Sequence, residues 1–341
     1  MASKVDVVTI TLNPAIDQTL SIPHFTAGAV NRVAHAQLDA GGKGVNVAAA
    51  LADDGVGVAV TGFLGEENDE IFRGLFARKG IVDRFVRIKG VTRTGVKVVD
   101  PILRQTTDIN FPGQMPAPDD ISTLLQTVEE LAAASGWFVI SGSIPESVAP
   151  TIYRDLIQRL TARGKRVVLD TSGPPLRPAL TAGPYLIKPN VAELRELLDE
   201  SLDTEGAILR AARTVAREYG IGCVVVSMGE EGSISVEGAD AVRAIPGHVD
   251  VVSTVGAGDT MLAGMVAGKL RGAALADCAR LATAFAMGAI AQLGAGLPQR
   301  SLVEDLMRQV TIRTLGTTDE TAGERASSVS LSQPEHAEAE R

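Results

Sequence analysis

The sequence predicts an α/β fold with a doubly wound, mostly parallel central sheet, helices on both of its faces and a small antiparallel β lid. Short runs rich in β-branched residues alternate with segments of helical periodicity along most of the chain. The strand-like runs lack an alternation of apolar and polar residues, which is typical of parallel strands buried on both faces. Open sheets of this kind bind ligands at the carboxyl ends of their strands, so we expect the functional residues there.

The predicted elements follow one another in a regular order. Strands are expected over 5–12, 56–63, 137–143, 165–172, 185–190 and 222–229. Helices are expected over 44–54, 67–79, 118–134, 147–163, 190–199, 204–218, 257–270, 274–293 and 300–310. After about residue 240, the sequence therefore predicts mostly helix.

Two segments, 14–40 and 92–112, depart from this order because they combine strand-like composition with polar alternation and turns. We expect both segments to return to the same edge of the main sheet and to form the lid. One domain is predicted over 1–315. The polar tail, 316–341, has a composition that indicates disorder.

Composition narrows the classes of function. The formal net charge is −9, which argues against nucleic acid and anionic membranes as partners, although a local pocket could still be positive. Cys223 and Cys278 lie in apolar runs without the spacing of a metal site, and we expect both to be buried thiols in a reducing, cytoplasmic compartment. The N-terminal residues lack the apolar core of a signal peptide, and no apolar run reaches the length of a membrane span.

The stretch "STVGAGDTMLAG" places Gly256, Ala257 and Gly258 directly before an apolar helical run. Successive backbone N–H groups at a helix N-terminus form an anion site that the helix dipole reinforces. Asp259 then has two interpretations: a favourable charge in the first helical turn, or a base beside a bound phosphoryl group. The glycines favour the second interpretation, because capping alone does not require them.

The stretch "AGGKGVN" precedes another predicted helix. It matches neither the Rossmann fingerprint nor the Walker sequence, so its glycines indicate either a tight turn or a place where backbone approaches a ligand. Under the second interpretation, Gly41 and Gly42 would admit a polyhydroxylated ligand. Asn46 would supply a donor and an acceptor, and Lys43 would supply charge for a phosphate.

Three further stretches end predicted strands. In "TLNPAID", Asp17 is either a surface turn residue or an acceptor for sugar hydroxyls. In "KPNVAEL", Asn190 and Glu193 form either a capping box or a site for Mg²⁺ or phosphate. The turn "SMGEEG" could line a nucleotide pocket.

Taken in chain order, these motifs resemble those of the ribokinase-like (PfkB) sugar kinases over about residues 5–310. The matching stretches are "TLNPAID", "GGKGVN", "TDIN", "SGSIP", "KPNVAEL", "SMGEEG" and "STVGAGD". One small departure is Thr260, which stands where that family is expected to carry serine and which keeps the hydroxyl. The resemblance implies a ribokinase-like fold, ATP and Mg²⁺ as cofactors, and a homodimer formed through the lid.

The resemblance also implies a role for each matching residue. Asp259 would be the catalytic base, and Gly256, Ala257 and Gly258 would form the anion hole. The residues expected to hold the sugar and its phosphate are Asp17, Gly41, Gly42, Lys43, Asn46, Arg93, Asp108 and Ser143. The residues expected at the nucleotide are Lys188, Asn190, Ser227, Gly229, Gly232 and Thr254. Glu193 and Asn190 would face Mg²⁺.

Lys43 bears on the substrate, because a cation in this loop fits the phosphosugar branch of the family. That branch contains the 1-phosphofructokinases, which the chain resembles most, and the tagatose-6-phosphate kinases. The resemblance thus implies phosphorylation of the 6-hydroxyl of fructose 1-phosphate, with tagatose 6-phosphate or fructose 6-phosphate as alternative substrates. A sensor that binds phosphosugar or nucleotide without catalysis is a more remote alternative. A dehydrogenase is disfavoured because the glycine fingerprint is missing.

Overall fold

The computed structural model describes residues 4–103, 105–292 and 296–316. Within them the strands are β1 (Val7–Thr11), β2 (Ala15–Ser21), β3 (His35–Gly41), β4 (Val58–Gly65), β5 (Val82–Asp83), β6 (Val86–Ile88), β7 (Thr94–Asp100), β8 (Gln105–Asn110), β9 (Trp137–Ser141), β10 (Arg166–Asp170), β11 (Leu186–Ile187), β12 (Cys223–Ser227), β13 (Ser233–Glu237), β14 (Asp240–Ile245) and β15 (Thr311–Thr314). The helices are α1 (Lys43–Asp53), α2 (Glu70–Lys79), α3 (Pro118–Ala134), α4 (Ile152–Thr161), α5 (Leu176–Leu180), α6 (Val191–Leu198), α7 (Glu205–Tyr219), α8 (Ala257–Leu270), α9 (Leu275–Ile290) and α10 (Arg300–Gln309).

The main sheet has the order β15-β14-β13-β12-β11-β10-β9-β1-β4-β5, and β6 also pairs with β4. All pairs from β12 to β5 are parallel, whereas β13, β14 and β15 continue the sheet in antiparallel pairs. The predicted mostly parallel sheet is therefore confirmed.

Two apolar cores lie on opposite faces of this sheet. Helices α1, α2, α8, α9 and α10 pack on one face, and α3 to α7 pack on the other. Consecutive strand residues contribute to opposite cores: Val7 belongs to one and Val8 to the other, and both are fully buried. The strands have no polar face, because helices cover both sides.

A separate four-stranded sheet, with the order β3-β2-β7-β8, forms the lid. Its outer pairs, β2 with β3 and β7 with β8, are antiparallel hairpins, while β2 and β7 pair in parallel. The parallel pair follows from the connections, since β2 follows β1 and β7 follows β6, and both β1 and β6 run parallel to β4. The two hairpins therefore enter the lid in the same direction.

The prediction of mostly helix after about residue 240 is confirmed by α8, α9 and α10, but it did not include β14 and β15, which extend the main sheet. β13 and β14 form a hairpin whose turn contains Gly238 at φ 58°, a conformation that favours glycine. The strand expected over 185–190 is reduced to the two residues of β11. From residue 317 onward, the tail predicted to be disordered lies outside the described residues.

The expectations for the two cysteines and for membrane-spanning segments can be compared with the described residues. Cys223 and Cys278 are free and buried, as expected. No helix in the described part of the chain is both long and apolar enough to cross a membrane.

Candidate active site

Two cavities open on either side of the N-terminus of α8. The first, here called the lid cavity, has a volume of about 260 Å³ and lies between the main sheet and the lid; its lining includes Asn13, Asp17, Gly42, Lys43, Asn46, Arg93, Lys97, Asn110, Ser143, Gly256 and Asp259. The second, here called the helical cleft, has a volume of about 760 Å³; its lining includes Ser227, Gly229, Gly232, Thr254, Ala257, Gly258, Met261, Ala286, Met287 and Ile290. The first turn of α8 separates the two cavities.

The turn before α8 favours glycine at Gly256, and the first turn of the helix leaves little room for a side chain at Gly258. Gly256 adopts φ 78°, in the left-handed region, and the helix begins at Ala257. A Cβ atom on Gly258 would lie 3.3 Å from Nζ of Lys188, so a side chain here would crowd the ammonium group. The first backbone N–H groups of α8 thus lie beside a buried lysine, and both favour an anion at this point.

Asp259 lies in the first turn of α8 and is only 7% exposed. Its Oδ2 accepts a hydrogen bond of 2.8 Å from Nδ2 of Asn46, which is on α1. Burial raises the pKa of Asp259 to about 6, and the negative charge of Asp170 adds to the increase; Lys43, Asn46 and Lys188 oppose it. A carboxyl group with a pKa near neutrality is suited to act as a general base.

Asp170, at the carboxyl end of β10, is the main site residue that the sequence interpretation missed. It is 2% exposed and lies 3.3 Å from Nζ of Lys43 and 3.6 Å from Nζ of Lys188. Burial alone would lower the pKa of Lys43, but the charge of Asp170, followed by those of Asp259 and Glu193, raises it. The available signal was its position, because Asp170 stands two residues before the end of the predicted strand 165–172, close to the edge where ligands bind.

Gly41 and Gly42 are explained by the protein's own packing. A Cβ on Gly41 would lie 2.4 Å from Oδ2 of Asp17. Gly42 adopts φ 115°, and a Cβ there would lie 3.0 Å from Cα of Pro14. Both glycines therefore allow the start of α1 to pack closely against the segment that carries Asp17, which is a reason distinct from access for a ligand.

Three charged side chains line the lid side of the cavity. Asp17 and Lys97 form an ion pair of 2.9 Å between neighbouring strands of the lid. Burial raises the pKa of Asp17, although Lys97 and Arg93 both act to lower it. Arg93 donates through Nη2 to the carbonyl of Asn13 at 3.2 Å, so its guanidinium is held by the backbone. Lys97 is a second residue that the sequence interpretation missed.

Ser143 and Asp108 differ in their placement. Ser143 lines the lid cavity, and its Oγ accepts a hydrogen bond of 3.1 Å from Nδ2 of Asn13. Asp108 lies on the exposed strand β8 and is outside the lining, whereas Asn110, two residues later in the same strand, belongs to it. The "TDIN" motif therefore contributes Asn110 to the lining of the lid cavity.

Asn190 and Glu193 form a complete capping box at the start of α6. The backbone N–H of Glu193 donates to Oδ1 of Asn190 at 2.8 Å, and the backbone N–H of Asn190 donates to Oε2 of Glu193 at 2.9 Å. This confirms the capping interpretation of the pair. Within the described residues, no three His, Cys, Asp or Glu side chains form a group that could hold a metal ion.

The helical cleft gathers four of the six residues that the motifs predicted for a nucleotide, whereas Lys188 and Asn190 lie outside its lining. Ser227, Gly229, Gly232 and Thr254 all line it, together with Ala257 and Gly258 of α8. Its other wall is apolar and comes from α8 and α9. Such a cleft, polar at one end and apolar at the other, suits a ligand that carries both a flat ring system and charged groups.

Comparison with known proteins agrees with this geometry. The pfkB family carbohydrate kinase profile matches residues 2–302. A 1-phosphofructokinase from Rhodobacter capsulatus is 48% identical over 310 residues, covering 91% of this chain and 98% of that protein. A 1-phosphofructokinase from Escherichia coli strain K12 is 38% identical over 307 residues, covering 90% of this chain and 98% of its own length.

Solved structures show the same fold. Phosphofructokinase-2 from Escherichia coli, in complex with substrates and products, superposes with a TM-score of 0.84 at 28% identity, covering 89% of this chain and 99% of that one. A possible 1-phosphofructokinase from Thermotoga maritima gives a TM-score of 0.81 at 26% identity, covering 91% and 99% of the two chains. The chain therefore belongs to the pfkB family of carbohydrate kinases and is a phosphotransferase.

Proposed function

We propose that this protein is an ATP-dependent 1-phosphofructokinase, which transfers the γ-phosphoryl group of ATP to the 6-hydroxyl of fructose 1-phosphate and forms fructose 1,6-bisphosphate. The observation that carries the proposal is the position of Asp259. It lies in the first turn of α8 and lines the lid cavity, while the two residues directly before it in the same turn, Ala257 and Gly258, line the helical cleft. A sugar in the first cavity and a nucleotide in the second would meet at this carboxylate.

Asp259 acts as the general base. Its carboxylate accepts the proton of the attacking sugar hydroxyl, while the oxygen of that hydroxyl forms the new bond to phosphorus and ADP leaves. Asn46 holds Oδ2 of Asp259 in place through a hydrogen bond of 2.8 Å. Catalysis in such a site rests on positioning and on stabilising charge, without a covalent enzyme intermediate.

The transferred phosphoryl group develops negative charge, which the N-terminus of α8 and Lys188 stabilise. Lys43 and Arg93 bind the phosphate already present on the sugar, and Asp17 accepts hydrogen bonds from the sugar hydroxyls. These groups offset locally the repulsion between two polyanions on a protein whose formal net charge is −9.

The site suits a magnesium ion that is held mainly by phosphate oxygens and water, because such ions need only one or two protein carboxylates. Glu193 is the candidate ligand: only its Oε2 is engaged in the capping box, and its charge acts on Lys43. Asn190 lies beside Glu193, but its Oδ1 already accepts the hydrogen bond from the backbone N–H of Glu193 in the capping box. When bound, Mg²⁺ neutralises phosphate charge.

The substrate is chosen mainly by the phosphate at the far end of the sugar, so tagatose 6-phosphate and fructose 6-phosphate are the alternatives. A coupled assay of ADP release with each of the three phosphosugars tests the proposal. We expect the highest kcat/KM for fructose 1-phosphate. A preference for one of the other sugars would reassign the substrate, and no ADP release with any of them would favour a sensor without catalysis.

A homodimer through the lid is the assembly that the surface supports. One face of the lid carries Asp17 and Lys97 toward the cavity, while the alternate residues Leu38 and Ile109 on the opposite face are 57% and 49% exposed. Apolar side chains exposed together mark interaction surfaces. One structural relative is described as the tetrameric inhibited form of phosphofructokinase-2 from Escherichia coli.

A cytoplasmic location stays a prediction, based on the two buried free thiols.

A further inference from the structure

We infer that Asp170 is a positioning residue of the phosphoryl-transfer site, whose single carboxylate holds the lysine of the sugar side, Lys43, and the lysine of the nucleotide side, Lys188, in a fixed relation. This inference rests on the proposed function, because it assigns the two lysines to two substrates. Nothing in the sequence motifs or in the relatives' names gives Asp170 a role.

The geometry of Asp170 is that of a bridge between two cations. Its Oδ1 lies 3.3 Å from Nζ of Lys43, and its Oδ2 lies 3.6 Å from Nζ of Lys188. Oδ2 is buried and makes no hydrogen bond within the protein, so the ion pair with Lys188 is its main compensation. A carboxylate this deeply buried is destabilising without paired cations, and two lysines from different elements supply them here.

Asp170 acts through the lysines, because its side chain lines neither the lid cavity nor the helical cleft. The Lys43 side chain is 38% exposed and reaches into the lid cavity, whereas the Lys188 side chain is 6% exposed and lies against Gly258. Two ammonium groups held this close would repel each other without an anion between them. Asp170 thus fixes both lysines and leaves one net positive charge facing two anionic substrates.

Asp170 also sets the electrostatic environment of the base. The charged groups that act on Asp259 are Asp170, at the end of β10, Lys43, at the start of α1, and Lys188, which follows β11; Asn46 adds a hydrogen bond. Because a negative charge nearby disfavours ionisation, Asp170 contributes to the raised pKa of Asp259. Removing that charge lowers the pKa of the base.

The test compares Asp170→Asn with Asp69→Asn. Asp69 is a matched control, because it is 7% exposed and pairs with two cations, Arg73 and Arg87, each at 3.0 Å, away from both cavities. We expect Asp170→Asn to lower kcat about 10- to 100-fold, as for small misplacements of reacting groups, to raise KM for both substrates, and to move the acid limb of the pH–rate profile to lower pH. Asp69→Asn should change thermal stability alone.

Unchanged kcat and an unmoved acid limb in folded Asp170→Asn would overturn the inference, as would an equal change in Asp69→Asn. If Asp170→Asn does not fold, the double variant Asp170→Asn/Lys188→Met leaves fewer unpaired buried charges. We then expect the acid limb of the pH–rate profile to lie at lower pH in the double variant than in Lys188→Met alone. An acid limb at the same or a higher pH would contradict the inference. Wild-type turnover is measured first, so a failure of the proposed function is seen separately.

Discussion

Nδ2 of Asn46 lies 2.8 Å from Oδ2 of Asp259, a hydrogen bond between residues that are 213 positions apart in the chain. It joins α1, which begins in "GGKGVN", to α8, which begins in "STVGAGD". The two glycine motifs therefore build one site rather than two. Because Asn46 donates the hydrogen bond to the carboxylate, it favours the ionised form of Asp259 and fixes the orientation of that side chain.

Asp259→Asn should lower kcat by at least about 100-fold, the usual scale for loss of a general base, with little change in either KM. The amide has nearly the same shape but cannot accept the proton. Steady-state ADP-release kinetics measure the effect. Asp277→Asn is the control, because Asp277 also lies in the first turn of a helix, α9, and outside both cavities. Near-normal turnover in Asp259→Asn would show that Asp259 is not the general base.

Asn46→Ala should move the acid limb of the kcat/KM profile to higher pH. The hydrogen bond from Asn46 lowers the pKa of Asp259, which lies at about 6 in the intact protein, so its loss raises that pKa further. Activity is present when Asp259 is ionised and is lost as the pH falls through its pKa. The variant therefore loses most activity near pH 6 and recovers part of it at pH 8. An acid limb at the same pH as in the wild type, or at a lower pH, would contradict this prediction.

Much of the fold and of the site could be predicted from sequence because buried parallel strands and helix starts carry local signals. The helices over 118–134 and 257–270 begin and end where the patterns placed them, as α3 and α8 do in the structure. What could not be predicted depends on contacts between distant segments. Asp170 becomes a site residue only because β10 lies at the centre of the sheet, and Lys97 only because β7 pairs with β2.

The glycines show a second limit of sequence interpretation. A pattern such as "GGKG" indicates close approach, but it does not say what approaches. For Gly41 the neighbour is the carboxylate of Asp17, and for Gly258 it is the ammonium of Lys188. Both neighbours are charged groups from segments distant in the chain, so the pattern of glycines alone could not identify them.

Lys43→Ala should mainly raise KM for the phosphosugar and leave KM for ATP nearly unchanged. Lys43 lines the lid cavity, and its pairing with Asp170 keeps it charged, so its ammonium is available to a phosphate there. Initial rates with each substrate varied in turn separate the two constants. Arg271→Ala, which removes an exposed cation paired with Asp54, is the control. A rise confined to KM for ATP would move Lys43 to the nucleotide site.

Asp259→Asn should also stabilise the fold at alkaline pH. The pKa of Asp259 is about 6 in the folded protein, above its ordinary value of 3.8, so the ionised group is destabilising above about pH 6. That penalty disappears as the pH falls from 6 toward 4, because the folded state then binds the proton. We expect the variant to raise Tm by about 2–5 °C at pH 8 and by less at pH 5. An equal or lower Tm at pH 8 would contradict the sign of the shift.

The lid surface gives the last prediction. Leu38 pairs with Gln18, Gln18 with Val96, and Val96 with Ile109, so these four side chains form one row across the lid on the face away from Asp17. Two of them are exposed apolar residues at the outer strands, Leu38 at 57% and Ile109 at 49%.

If two copies pack these faces together, Leu38→Asp and Ile109→Asp place charges in a buried interface and should convert a dimer to a monomer, because an unpaired buried charge is strongly unfavourable. Sedimentation velocity at several protein concentrations measures the change. Leu302→Asp is the matched control, since Leu302 is also an exposed leucine, at 43%, but lies on α10. A wild-type chain that sediments as a monomer, or a dimer unaffected by both lid variants, would exclude this face as the interface. Because Asp17 and Lys97 lie on the opposite face of the same sheet, loss of the dimer should also raise KM for the phosphosugar more than KM for ATP.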